Sequence, residues 1–263
     1  MAAQDTRGSN MRRLLATTAL ALACGSAVAA GNIHTDNVHC DVESDYDLTL
    51  NDRSVILTRD GGAPRAIVMR GGRLFVDDEW VQLSAADRAR IVDFEKGTRA
   101  IMPLAQAIGR DAADIAFTAL GEVAAGFSSD PKASQAKVDR ARAQLDARLA
   151  RSVTANRFDG RDLGEGIGDA VKEVIPSMIG DIVGGAIGAA FSGDATRLER
   201  MENLDAQIEA KVKPRAEALE KRAEALCRRM EALDRIDDAL EYRFEGKPLN
   251  LLQADVGASK RED

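Results

Sequence analysis

The spacing of the apolar residues changes once along the chain, at about Ser84, and this change constrains the fold more than any other feature. Before it, short runs such as residues 54–58 are β-branched and apolar, and turn residues separate them. After it, apolar residues recur at every third or fourth position through most of the remaining chain. The sequence therefore predicts an α+β fold, with a small N-terminal antiparallel β-meander followed by an antiparallel assembly of long helices.

The predicted meander has its strand character between residues 46 and 83. Two apolar runs flank Gly71-Gly72, and a Gly-Gly pair in this position is a hairpin signal. Turns are also predicted at residues 60–62 and 77–79, and residues 80–83 complete the series of short strands. A sheet this small needs another element packed on one face, so we expect helices to cover it.

The N-terminus has the features of a secretory signal peptide, in the usual order. A short basic stretch at residues 11–13 precedes a mostly apolar stretch at residues 14–23, and small residues follow. Ala27-Val28-Ala29 predicts cleavage after Ala29. The apolar stretch is too short to cross a bilayer, which takes about 20 residues. We therefore expect an exported protein.

Two details of this segment leave alternatives open. Met11 is a second candidate for the start of the chain, because residues 1–10 carry no signal feature. Cys24 raises the alternative of a lipoprotein, although Ala21 stands where a lipidation site has a bulky aliphatic residue. Cleavage at the alanine site is favoured over lipidation.

Removal of residues 1–29 leaves two cysteines, Cys40 and Cys227. An even pair in an exported chain predicts a disulfide, which would join the start of the mature chain to its last long helix. The alternative is a pair of buried free thiols.

Several breaks are predicted in the helical part. Ser84 begins it with a capping sequence, and Gly97 and Pro103 predict a kink or break. Asp130-Pro131 begins a second helix, which we expect to reach about Phe158. Residues 132–161 carry an excess of basic residues, which are expected to pair with acidic helices of the same fold; lipid headgroups or an acidic partner are the alternatives.

Residues 194–243 form one long amphipathic, coiled-coil-like pattern that Pro214 kinks or divides. Its apolar stripe can pack on helices of the same chain or on a second copy, which leaves a homo-oligomer through the long helix open. The predicted organisation is a signal peptide at 1–29, a β-meander at 30–83, a helical region at 84–243 and a short, frayed tail at 244–263, with residues 30–243 as one folded unit.

A glycine-rich segment at residues 160–193 interrupts the helical region. Gly180, Gly184 and Gly188 form a GxxxGxxxG pattern within residues 174–191, and glycine at every fourth position makes a groove that another helix can approach closely. The uninterrupted apolar part is too short to span a bilayer. We expect a buried helix here, and contact with a membrane is the alternative.

The sequence contains few residues suited to catalysis or metal binding. No catalytic residue and no cofactor are predicted, because nucleophile and metalloprotease motifs are lacking. His34 and His39 could contribute to a metal site, but a mobile leader beside a disulfide-bonded Cys40 is the favoured interpretation, so no metal is expected. The acidic run at residues 77–79 could bind a cation weakly, and a solvated turn is favoured over it.

Composition excludes one class of partner. The formal net charge is -7 and aromatic residues make up only 4% of the chain. Nucleic-acid binding needs basic surfaces, often with aromatic residues for stacking, so a nucleic-acid partner is not expected.

The chain resembles the YggN-like family of uncharacterised exported proteins of Gram-negative bacteria. The resemblance lies in the signal peptide, the early and late cysteines, the segments at residues 80–88 and 98–103, the glycine-rich middle and the long charged helix. It implies a periplasmic location, and it supplies no catalytic residues and no established function.

The sequence leads to one main functional hypothesis and two alternatives. We expect a non-catalytic envelope protein that uses amphipathic helices to bind another envelope protein or the membrane surface. The first alternative is a protein that associates with membranes through residues 174–191. The second is an envelope enzyme that depends on carboxylates or a metal, which would require a pocket where several carboxylates converge.

Overall fold

The computed structural model describes residues 31–34, 38–128, 130–161, 163–164, 179–180, 183–184, 187–188 and 203–258. Within these residues the fold is α+β, as predicted, with antiparallel strands followed by long helices. The predicted signal peptide, including Met11 and Cys24, lies outside the described residues.

Nine strands are present in the described part of the chain. They are β1 (Gly31–His34), β2 (Val38–Glu43), β3 (Asp47–Leu50), β4 (Val55–Thr58), β5 (Ala66–Arg70), β6 (Arg73–Val76), β7 (Glu79–Trp80), β8 (Phe158–Asp159) and β9 (Gln253–Ala258). They form a six-stranded sheet of order β7-β6-β5-β4-β3-β8 and a three-stranded sheet of order β1-β2-β9. All the pairings are antiparallel.

The predicted hairpin at Gly71-Gly72 is confirmed, since it joins β5 to β6. Both glycines have positive φ angles, 58° and 76°, which a two-residue hairpin turn of this type requires. The strands alternate as a half-buried sheet should, with one face turned to the core. The core residues of the central strands are Val55, Leu57, Ile67, Met69, Leu74 and Val76.

Three helices are described: α1 (Ala85–Phe127), α2 (Pro131–Ser152) and α3 (Leu204–Asp238). Their starts follow from capping residues in the sequence. The Ser84 hydroxyl accepts a hydrogen bond from the Asp87 N–H, and the Asp130 carboxylate accepts one from the Ala133 N–H. The predicted start of α2 at Asp130-Pro131 is therefore confirmed.

Of the kink or break predicted at Gly97 and Pro103, the break is wrong, because α1 runs through both residues as one helix. Gly97 instead permits a close approach: a Cβ there would lie 2.6 Å from Leu233 Cδ2 of α3. Pro103 is exposed, and three positions before it the Ala100 carbonyl accepts a hydrogen bond from the Arg229 side chain of α3. Packing against α3 therefore supports a continuous helix where local preference favours an interruption.

Two helices end earlier than the sequence predicts. Helix α2 stops at Ser152 rather than near Phe158, because a tight turn with paired Thr154 and Arg157 leads into β8. Helix α3 stops at Asp238 and not at Arg243, and Pro214 lies inside it. The next residues bond to α1 instead of continuing the helix.

The expected short tail also differs from the structure. Residues 253–258 form β9, which pairs with β2 over its whole length. Leu249, Leu251 and Leu252 are buried in the main core. Because β9 adds to a strand some two hundred residues away, nothing in its own short sequence indicated that it pairs.

One main core lies between the six-stranded sheet, α1 and α3. Helix α1 packs against α2 and α3, so the apolar face of α3 is packed against a helix of the same chain. Among the described helices, none combines the length and the apolar character needed to cross a membrane.

Candidate interaction surfaces

Cys40 of β2 and Cys227 of α3 form a disulfide, in agreement with the sequence prediction. Their Cα atoms are 6.1 Å apart, and both residues are buried. The bond holds the three-stranded sheet against α3.

Buried Asp87 joins the start of α1 to the segment after α3. Its carboxylate accepts hydrogen bonds from the N–H groups of Glu241 and Tyr242, and it pairs with Arg90 at 2.7 Å. Burial opposes the charged form of Asp87, but the two N–H groups and the guanidinium outweigh burial and lower its pKa. This carboxylate is therefore engaged in holding the fold.

Buried Glu95 supports the hairpin turn in a similar way. One carboxylate oxygen accepts the Gly71 N–H at 3.1 Å and the other accepts the Gly72 N–H at 3.0 Å. These are turn N–H groups, which need partners when they are shielded from water. Glu95 thus fixes the β5–β6 turn on α1.

Buried Asp237, at the end of α3, holds the C-terminal segment. Its Oδ2 accepts hydrogen bonds from the Leu251 N–H at 2.5 Å and from the Leu252 N–H, whereas its Oδ1 is buried without a hydrogen-bond partner. Burial raises its pKa to about 6; the two N–H groups oppose this rise, and the carboxylates of Asp238 and Asp234 add to it.

Asp234 stands one helical turn earlier and accepts a hydrogen bond from the Ala254 N–H at 3.1 Å. Burial raises its pKa, the Ala254 N–H opposes that rise, and the carboxylates of Asp238 and Glu231 add to it. The end of α3 therefore presents two carboxylates with raised pKa values to the chain that leads into β9.

The most buried carboxylates of the described residues, Asp87, Glu95 and Asp237, are all bonded within the fold. The three buried ones bond to backbone N–H groups at separate places, and the described residues contain no cluster of three or more His, Cys, Asp or Glu suited to a metal ion. Asp77 accepts hydrogen bonds from the N–H groups of Arg65 and Ala66, so its carboxylate is bonded within the fold. His34 and His39 occupy paired positions of β1 and β2.

Part of the basic excess of residues 132–161 pairs within the chain, as predicted. Arg142 of α2 lies 3.0 Å from Asp114 of α1, and Arg161 donates to Asp47 of β3 at 2.7 Å. On α3, Lys211 pairs with Glu122 of α1 at 2.6 Å. These pairs lie between elements of one fold, so they need no external acidic partner.

The outer face of the six-stranded sheet carries a continuous line of apolar side chains, which we call the apolar row. Its members are directly opposite one another on β4, β5, β6 and β7: Ile56, Val68, Phe75 and Trp80. The first three are partly exposed and Trp80 is 51% exposed. The row spans four strands, or about 14 Å, on the face opposite the core.

Arginines border this row on one side. Arg70 and Arg73 are paired across β5 and β6, each two positions along its strand from a member of the row. The Arg73 guanidinium lies 4.7 Å from the ring centre of Trp80, and the Trp80 and Phe75 rings meet edge to face at 5.3 Å. Both contacts orient the indole while leaving half of it exposed.

Trp80 also lines two open clefts. The first, of about 470 Å³, has Arg73 and Arg88 among its walls. The second, of about 610 Å³, is bordered by Asp77, Asp78 and Glu79 together with Tyr242 and Phe244. Burial, followed by the charges of Glu79 and Asp77, raises the pKa of Tyr242. Trp80 therefore separates a basic cleft from an acidic one.

The described part of the glycine-rich segment also presents apolar side chains to solvent. Ile179, Val183 and Ile187, at helical spacing, are 54%, 51% and 54% exposed, and we call them the apolar stripe. A Cβ at Gly180, Gly184 or Gly188 would meet nothing within 4 Å. This differs from the buried, closely packed helix that the sequence suggested at these positions.

Sequence reasoning identified the glycines and the cysteines but missed the apolar row. Each of its members is an ordinary strand residue, and only the register of four strands brings them together. The exposed Trp80, placed beside two turns, was the one available signal.

A model of a protein family described as "Protein of unknown function (DUF2884)" matches residues 40–252, which is well over half of the chain. No curated protein and no solved structure matches the chain.

Proposed function

Since the chain belongs to the DUF2884 family of proteins of unknown function, we propose that it is an exported, non-catalytic protein of the cell envelope that binds another protein. Export is supported by the signal-peptide pattern of residues 1–29 and by the Cys40–Cys227 disulfide. The resemblance to YggN-like proteins supports the periplasm as the compartment.

One observation carries the binding function: the apolar row ends in a half-exposed tryptophan and is bordered by arginines. Exposed apolar patches rimmed by polar residues are typical of sites where proteins interact. Tryptophan and arginine also contribute more to binding at such sites than most residues do. The outer face of the sheet is therefore the proposed binding surface.

This surface differs from the one that the sequence suggested. Amphipathic helices were expected to bind the partner, but α1 and α3 direct apolar side chains such as Ile101, Leu233 and Met102 into the core that they share. The sheet face opposite that core has no such cover among the described elements.

Site-specific photo-cross-linking in cells tests the proposal. We would place a benzophenone amino acid at Gln82, which is exposed beside Trp80, and compare it with the same group at Asp52, an exposed residue of the β3–β4 loop. The expected result is an adduct of one defined mass at position 82 that excess purified protein competes away.

A charge-reversal variant makes the test specific. Arg70→Glu with Arg73→Glu should remove the adduct, whereas Arg53→Glu, in the β3–β4 loop, should leave it unchanged. Equal adducts at positions 82 and 52, or an adduct indifferent to both reversals, would reject the proposed surface.

The location can be tested separately by intact mass spectrometry of the protein from the periplasmic fraction. A chain that begins at Ala30 and takes up an alkylating reagent only after reduction is the expected result. A lipid adduct on Cys24 would contradict it and would make the protein a membrane-anchored lipoprotein.

Membrane association through residues 174–191 is a second candidate function, and the exposed apolar stripe favours it. If it is correct, the mature protein should float with vesicles of zwitterionic phospholipid, which do not repel this acidic segment, and Val183→Asp should abolish flotation. Failure of the wild-type protein to float would reject it.

A further inference from the structure

The chain presents two apolar surfaces that the described elements do not cover. One is the apolar row of the sheet, and the other is the apolar stripe Ile179, Val183 and Ile187. Each leaves several large apolar side chains in contact with water, which is unfavourable. Contact between the two surfaces would remove both from water.

We propose that the apolar stripe docks on the apolar row of the same chain and covers Trp80. The glycines beside the stripe favour this contact, since Gly180, Gly184 and Gly188 have open space around them. A helix face that lacks side chains at these positions can approach a sheet surface closely. Phe75 and Trp80, the bulky members of the row, would fill the space that the glycines leave open.

Charge complementarity supports the choice of this occupant. Residues 162–194 contain six acidic residues and one basic residue, Lys172. The outer sheet face offers Arg70, Arg73 and the nearby Arg88, all of which are exposed. Within the described residues, none of these three arginines forms an ion pair with a carboxylate, unlike Arg142 or Arg161.

The connection is long enough for the contact. Leu163 packs against the main core, and fifteen residue steps separate Gly164 from Ile179. An extended chain covers about 3.3–3.6 Å per residue, so this stretch reaches about 50 Å. Because the stripe and the row are tethered in one chain, each meets the other at an effective concentration of about millimolar. In dilute solution a second copy of the chain is far less concentrated, so docking within the chain is favoured.

The docking contact does not depend on the proposed function, although a partner that uses the apolar row would compete with the stripe for Trp80.

Photo-cross-linking within the purified full-length mature protein tests the contact. A benzophenone amino acid at Phe75, irradiated in dilute solution, should form a cross-link within the monomer to the tryptic peptide that spans residues 173–197. The same group at Asp52 is the matched control and should not reach that peptide. Val183→Asp with Ile187→Asp should abolish the cross-link from position 75.

Tryptophan emission gives a second readout, because Trp80 is the one tryptophan of the chain. The same double substitution should shift its emission to longer wavelength as the indole becomes exposed. Both substituted residues are more than half exposed in the structure, so the core stays intact, and an unchanged circular dichroism spectrum with an intact disulfide would verify this.

Three outcomes would overturn the proposal: a cross-link found only between two chains, which would indicate a second copy; no cross-link to residues 173–197; or an emission spectrum unaffected by the double substitution. Failure here remains distinguishable from failure of the proposed function. Adducts to another protein at position 82 without the internal cross-link would support the binding function and reject self-docking. An internal cross-link from position 75 without adducts at position 82 would support self-docking and reject the binding function.

Discussion

Gly97 of α1 faces Leu233 of α3 so closely that a Cβ on the glycine would lie 2.6 Å from Leu233 Cδ2. Leu233 is 4% exposed and has little room to move. Gly97→Ala should therefore lower the free energy of unfolding, since overpacking costs about 1–3 kcal/mol and exceeds the ~1 kcal/mol gained from helix propensity. Urea unfolding measures this change.

Gly109→Ala on the same helix is the matched control. Its Cβ would lie 3.5 Å from Leu149 Cδ2, an ordinary contact, so the substitution should stabilise by up to about 1 kcal/mol. Equal effects of the two substitutions would show that α1 and α3 do not approach closely at Gly97.

The Cys40–Cys227 disulfide closes a loop with a sequence separation of 187. The loop-entropy model assigns such a bond about 5 kcal/mol, an upper figure if the unfolded chain is compact. Cys40→Ser with Cys227→Ser should lower the urea midpoint markedly. Reduced wild-type protein should match this variant, and a midpoint that reduction leaves unchanged would contradict the prediction.

The raised pKa of Asp237, about 6 against an ordinary 3.8, makes folding stability depend on pH. The folded state binds the Asp237 proton more tightly than the unfolded state does, so the protonated carboxyl contributes its full stability below about pH 4. This contribution to the free energy of unfolding, about 3 kcal/mol, is lost as the pH rises through about 6. Asp234 acts in the same direction, whereas the lowered pKa of Asp87 affects stability only at lower pH.

Unfolding free energies between pH 4 and pH 7 test this prediction. Asp237→Asn should flatten the profile while keeping an oxygen that can accept the Leu251 N–H. Asp52→Asn, in an exposed loop, should leave the wild-type slope. An equal slope in wild type and in Asp237→Asn would show that Asp237 does not titrate in this range.

Asp87→Ala should be among the more damaging polar substitutions, because Asp87 is 1% exposed and accepts hydrogen bonds from Glu241, Tyr242 and Arg90. Its loss leaves the buried N–H groups of Glu241 and Tyr242 without an acceptor, at a cost of about 3 kcal/mol, whereas Arg90 keeps its pair with Glu241. Asp93→Ala, on the exposed side of the same helix, should change stability by less than about 0.5 kcal/mol. Similar losses for the two variants would contradict the role given to Asp87.

Local chemistry made part of this fold predictable. Gly71-Gly72 specifies its own hairpin, Asp130-Pro131 specifies its own helix start, and an exported pair of cysteines favours a disulfide. In each case the residues that decide the structure are few, and most are close in sequence. The α+β class followed from the change in apolar spacing near Ser84.

Tertiary contacts decided the features that were missed. Pro103 remains in a helix because α3 packs alongside, and β9 is a strand because β2 offers it an edge. The candidate site was less predictable still: Trp80 was visible as a lone tryptophan, but the apolar row depends on the register of four strands, which the sequence does not display.

The pairing of β2 with β9 sets an order of events during biosynthesis. Residues 38–43 leave the ribosome about two hundred residues before their partner, residues 253–258. Contacts this far apart in sequence form slowly, because a long loop must close first. The three-stranded sheet is therefore a late product of folding, and until residues 253–258 have been made β2 has a bare edge that a chaperone can hold.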